Sequence, residues 1–170
     1  MALDSLRELF LYELGQLRET EEAGGSLLGQ FAAHVRDDAL KQALGAQEQE
    51  GRKLAQNING CLKSLGGAPL AMTSHVVEAV RNSFQELLDL GPSPDILDLM
   101  MIRVSSWYVE HTLVRYRGLL DFATSLGEHE CGRFLLANLV AKEAFIAQLR
   151  QIGVSSALKR ATTGALALTP

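Results

Sequence analysis

Proline is scarce in this chain of 170 residues. The four prolines are Pro69, Pro92, Pro94 and Pro170, so roughly the first 65 residues and the span 95–169 run without the residue that most strongly breaks a helix. Cysteine is scarcer still. Cys61 and Cys131 form no CxxC, which excludes a zinc ribbon and a thioredoxin-type motif. Two distant cysteines fit a reducing compartment and also permit one disulfide. No segment approaches the ~20 apolar residues of a membrane span. The start, MALDSLRELF, carries Asp4, Arg7 and Glu8 where a signal peptide needs an apolar run, so a cytoplasmic location is expected. Basic stripes are missing too. With a net charge of −4, nucleic acid is not an expected partner, and neither is a membrane. There is no P-loop, no Ser/His/Asp set and no cysteine with a placed base.

What is present is a helical pattern in a globular composition, 47% hydrophobic and 21% charged. Leu6, Phe10, Leu14, Leu17, Glu21, Gly24, Leu28, Phe31 and Val35 step by three or four, the spacing of one helix face. A second run is Leu40, Ala43, Leu44, Gln47, Leu54, Ile58, Cys61 and Leu65, ended by GGAP at 66–69. Thr73 or Ser74 can cap a short helix that GPSP at 91–94 closes. One long helix is expected from about Pro94 to Leu126, broken by Gly127, and another from about His129 to Gly153. Short connections near His34–Asp38 and at Gly127 make antiparallel neighbours. The fold class is all-α: a four-helix bundle over 1–155 with an additional short helix in the crossover, and a weakly ordered tail over 156–170. Gly24 and Gly25 inside the first helix each lower its propensity by ~1 kcal/mol relative to Ala, and permit either a close helix approach or a kink.

Four acids interrupt the apolar runs. Glu21, Glu50, Glu110 and Glu143 each stand among apolar residues at helical spacing, one per long helix. Each lies about 14 to 17 residues from its hairpin turn, or roughly 22–25 Å at the rise of an α-helix. If the hairpins pack antiparallel, the four carboxylates converge at one level, the geometry of a dinuclear carboxylate site. Hard cations take oxygen ligands, so iron or manganese would suit such a cluster. The supporting ligands are weak, since Lys53, Leu113 and Ile146 follow Glu50, Glu110 and Glu143 by three. The competing reading pairs the acids with basic side chains, with Arg18, Lys53, Arg103 and Arg117 at hand. His111, next to Glu110, reads as a surface or supporting residue, and Trp107 and Tyr116 read as packing residues.

Four stretches together resemble the ferritin-like YciE/YciF family of bacterial stress-associated proteins: SLRELFLYELGQLRETE at 5–21, LKQALGAQEQEGRKLAQNI at 40–58, VEHTLVRYRGLLDFATSLG at 109–127 and LLANLVAKEAF at 135–145. The resemblance implies a five-helix ferritin-like fold, frequent homodimers, a di-metal site in the bundle and no established reaction. Glu21 matches the family's first-helix Glu. Gln47-x-x-Glu50 stands for its His-x-x-Glu, and EHTL at 110–113 for a Glu-His-x-x-Glu that has lost its last acid. Glu143 remains, while the acid expected after it is gone. The expectation is therefore a stress-associated homodimer with a degenerate di-metal site, no tightly bound cofactor, no assigned reaction and an unknown protein partner. A metal-bearing oxidase or peroxide-handling protein, and a helical module binding a protein or small apolar ligand, are the alternatives.

Overall fold

A computed structural model describes residues 3–67 and 72–166, with side chains to residue 156. Six helices and no strand occur among the described residues: α1 (Leu6–Phe31), α2 (Asp38–Gly45), α3 (Gln47–Ser64), α4 (His75–Asp89), α5 (Pro94–Leu126) and α6 (His129–Leu166). The second long helix expected from the sequence is thus interrupted at Ala46. The last helix continues past Gly153 to Leu166, so the expected weakly ordered tail begins inside it. Residues 167–170 lie outside the described residues.

The helix ends follow from local chemistry. Ser5 caps α1 by accepting from the Glu8 N–H, and the Glu8 carboxylate accepts in return from Ser5 Oγ and the Asp4 N–H, each at 2.9 Å. Those bonds hold the Glu8 carboxyl below its ordinary range. Ser74 caps α4, and Pro94 occupies the first turn of α5. Gly127 ends α5 with φ +70°, a left-handed conformation that a Cβ disfavours. Asp98, at the start of α5, accepts from the Arg36 and Asp37 N–H groups at 2.9 and 3.0 Å, which fixes the α1–α2 turn against the second hairpin.

α1 packs chiefly on α3, α5 on α6, and the α1/α3 pair joins the other through α1–α5 and α3–α6 contacts. α4 lies in the crossover against α5 and α1. One core runs between the four long elements, built on Phe10, Leu14, Leu17, Phe31, Leu44, Ile58, Tyr108, Tyr116, Leu135 and Leu149. α1 is continuous through Gly24 and Gly25, and both glycines serve close approach. A Cβ on Gly25 would lie 2.6 Å from the Gln47 carbonyl oxygen and 2.9 Å from Gly51 Cα, so α1 and α3 cross backbone to backbone there. Gly24 leaves room for the Tyr108 hydroxyl. Cys61 and Cys131, both buried, are joined as a disulfide with Cα atoms 4.8 Å apart, tying α3 to the start of α6.

Candidate functional site

Of the four glutamates, only Glu21 lies in the core, at 0% exposure. The expectation that all four face inward is corrected for the other three. Glu50 is half-buried at the edge of α3 and pairs with Lys53 at 3.6 Å. Glu110 and Glu143 are exposed on the outer side of α5 and α6. Glu110 pairs with Arg150 at 3.2 Å and Glu143 with Arg117 at 3.1 Å. The physical reason is a register of one residue. One step along a helix turns a side chain by about 100°, and the buried neighbours are Val109, Lys142 and Gly51. Spacing alone misled because α5 and α6 carry apolar residues on both sides: Leu113, Leu139 and Ile146 inside, Val114, Val140 and Ala147 outside.

The partner of Glu21 is Lys142. Its Nζ lies 2.5 Å from a Glu21 carboxylate oxygen, with side-chain exposures of 2% and 0%. The ammonium also stands 5.3 Å from the centroid of the Tyr108 ring, within cation–π range. Tyr108 Oη donates to the Thr20 carbonyl at 2.7 Å, and the Thr20 and Ser74 hydroxyls are 2.9 Å apart, which ties α5, α1 and the α4 cap together. On the other side, Asn138 Nδ2 donates to Tyr116 Oη at 3.1 Å and to the Leu54 carbonyl at 3.0 Å, while its Oδ1 accepts from Asn57 at 2.6 Å. Burial pushes both the Tyr108 and Tyr116 phenols well up, and the negative charge of Glu21 adds to it. Thus α1, α3, α5 and α6 each contribute to one buried polar layer.

A di-metal centre does not fit these donors. A dinuclear site needs several anionic or imidazole ligands around two cations. Here the core layer holds one carboxylate, already paired with an ammonium, and two phenols held in their neutral form. The other three glutamates are paired at separate surface positions. Among the described residues no three His, Cys, Asp or Glu side chains are grouped to hold an ion. His111 is half-buried beside Arg115. Burial first, and then the Arg115 charge, push its imidazole below the ordinary value, which favours the neutral ring. Arg18 pairs with Glu19 and Glu22 rather than with Glu21. Trp107, read as a packing residue, is 51% exposed, whereas Tyr116 is fully buried.

Sequence reasoning missed Lys142, Tyr108 and Asn138. The signal was available for one of them. Lys142 falls on the stripe Leu135, Asn138, Leu139, Lys142, Phe145, Ile146 and Leu149, and a lysine in an apolar stripe needs a buried anion.

Several solved structures share this helical fold. The E. coli stress protein YciF is 17% identical, with a TM-score of 0.87 over 92% of this chain and 99% of that one. YcfI of Rhodopseudomonas palustris is 20% identical, with a TM-score of 0.82 over 88% of this chain and 97% of that one. A ferritin-like, diiron-carboxylate protein from Bacillus anthracis str. Ames is 16% identical, with a TM-score of 0.68 over 90% of this chain and 99% of that one. At these identities the likeness establishes the ferritin-like helical fold. No curated protein matches the chain. Among the described residues no helix is long and apolar enough to cross a membrane. The family model described as "Domain of unknown function (DUF892)" matches residues 5–162, so the chain belongs to that family and has the YciF-type ferritin-like fold.

Proposed function

We propose that this is a stress-associated protein of the YciE/YciF type whose di-metal centre is degenerate, and that it acts as a structural or interaction protein rather than an oxidase. The observation that carries the reading is the Lys142–Glu21 pair, which places a fixed positive charge beside the carboxylate of the buried polar layer. A cation brought to Glu21 would have to displace or deprotonate that ammonium, with one carboxylate in that layer to hold it. Glu21, Glu50, Glu110 and Glu143 are on this reading remnants that serve ion pairs. No tightly bound cofactor is required, the expected partner is a second copy of the chain, and nucleic acid is not. The compartment we favour is the cytoplasm, where burial of Cys61 and Cys131 at 0% and 1% exposure would shield their bond from reductant.

Elemental analysis of protein purified without chelator tests the reading. Less than roughly a tenth of an equivalent of iron plus manganese per chain is expected, because too few oxygen ligands converge to complete a coordination sphere. Near two equivalents, lost on Glu21→Ala, would instead establish the oxidase or peroxide-handling alternative.

A further inference from the structure

Lys142 and Glu21 are placed as reactants as well as partners. The Lys142 Nζ lies 2.5 Å from a Glu21 carboxylate oxygen, and the two side chains are 2% and 0% exposed. With an ordinary angle at that oxygen, Nζ stands roughly 3–3.5 Å from the Glu21 carboxyl carbon, the separation of a near-attack arrangement. An amine held there meets the carbon at an effective concentration that no free amine reaches.

The surroundings fix the pair and keep water out. One turn away on each helix, Leu17, Gly25, Leu139 and Ile146 are all buried. The ammonium is steadied by the Tyr108 ring, 5.3 Å from its centroid. Neither Glu21 oxygen has a hydrogen bond of ordinary geometry, and the phenol within reach of the carboxylate is that of Tyr116. Asn138 Nδ2 donates to Tyr116 Oη at 3.1 Å, which leaves the phenol proton free to turn towards Glu21. In a water-poor core an ion pair loses much of its advantage over the neutral amine and acid, and a desolvated lysine amine is a nucleophile.

We propose that Lys142 and Glu21 condense within the folded chain into an amide that ties α6 to α1, with Tyr116 as proton donor. A proton first passes from Nζ to Oε2. The neutral amine attacks Cδ, the N–C bond forms, and the carbonyl electron pair moves onto Oε1, which takes the Tyr116 proton. The nitrogen then gives a proton to the Oε2 hydroxyl. The C–Oε2 bond breaks, water leaves, and the carbonyl re-forms as Tyr116 recovers its proton. In sum, an ammonium and a carboxylate become a neutral amide and one water, with no oxidant, reductant or further reactant. Folding comes first, since only the packed bundle brings the two side chains together. The newly folded chain therefore carries the ion pair, and the amide accumulates from it. The inference rests on that contact alone and not on the function proposed above.

The test is intact-mass spectrometry of the full chain after reduction of Cys61–Cys131, on fresh protein and on protein aged while folded. The mass is expected to fall about 18 Da, one water, below that of the sequence. Trypsin should then release residues 19–36 joined to residues 134–150, uncut at Lys142, with fragmentation placing the link at Glu21. Glu21→Leu/Lys142→Met should keep its full mass. Tyr116→Phe should form the link at least about 100-fold more slowly. Full mass in aged wild type whose circular dichroism is unchanged overturns the proposal, as does a water loss that persists in Glu21→Leu/Lys142→Met. Linking of Tyr116→Phe at the wild-type rate overturns the role given to Tyr116.

Discussion

Replacing Lys142 by Met removes the ammonium while keeping an unbranched side chain of similar volume, and leaves Glu21 at 0% exposure without its cation. The carboxylate then has two courses. It can stay charged, which in a buried, unpaired setting costs several kcal/mol. Or it can bind a proton: with an unfolded-state value near ~4.3, neutralising it at pH 7 costs about 3.7 kcal/mol, falling to about 1 kcal/mol at pH 5. Loss of the ammonium from the face of Tyr108 adds roughly 0.5–2 kcal/mol. Lys142→Met is therefore expected to lose about 4–6 kcal/mol at pH 7, most of a marginal domain's stability. The sign with pH follows from the proton. The folded variant binds it and the unfolded chain above ~4.3 does not, so the loss relative to wild type grows as pH rises from 5 to 7. Glu21→Leu/Lys142→Met, which removes both charges, should recover most of the loss and end near wild type or above it. Urea unfolding followed by circular dichroism at pH 5, 6 and 7 measures all three. A loss under about 1 kcal/mol for Lys142→Met, flat with pH, would refute the idea that this pair neutralises the core.

Two further outcomes follow from the same core. Gly25→Ala puts a Cβ 2.6 Å from the Gln47 carbonyl and 2.9 Å from Gly51 Cα, and both neighbours are backbone. The overpacking of about 1–3 kcal/mol should outweigh the ~1 kcal/mol gained in helix propensity, so the urea midpoint should fall, and a rise would mean the helices can part freely. Tyr108 and Tyr116 have phenols raised by burial and by Glu21, so their contribution to stability is complete below the unfolded value near ~10 and is lost as pH rises beyond it. Their tyrosinate absorbance should appear together with loss of helical signal; ionisation of both while the bundle stays folded would contradict the buried layer.

The helices were legible because their signals are local. Ser74, Pro94 and Gly127 act within a turn of where they stand, and the stepping of Leu6 to Phe31 marks one buried face. The break at Ala46 was not legible, because nothing in QALGAQEQ forbids a continuous helix. The site was harder to read. Glu21 was found because α1 has one clearly apolar face. Glu110 and Glu143 were misplaced because Val114 and Val140 are apolar for a different surface than Val109 and Leu139. Rotation about each helix was misread, and a shift of one residue separates a ligand from a surface charge.

The disulfide bears on how the chain could exchange parts with a copy of itself. α4 and its flanking turns form the long connection between the α1–α3 hairpin and the α5–α6 hairpin, the place where a bundle can open and trade hairpins with a neighbour. Cys61 belongs to the first hairpin and Cys131 to the second, and their bond closes a loop of 70 residues that contains this crossover. Once formed within one chain, it keeps the two hairpins of that chain as partners, and a swapped assembly could arise only from molecules that met before oxidation. Copies that associate afterwards must do so as whole bundles, surface against surface.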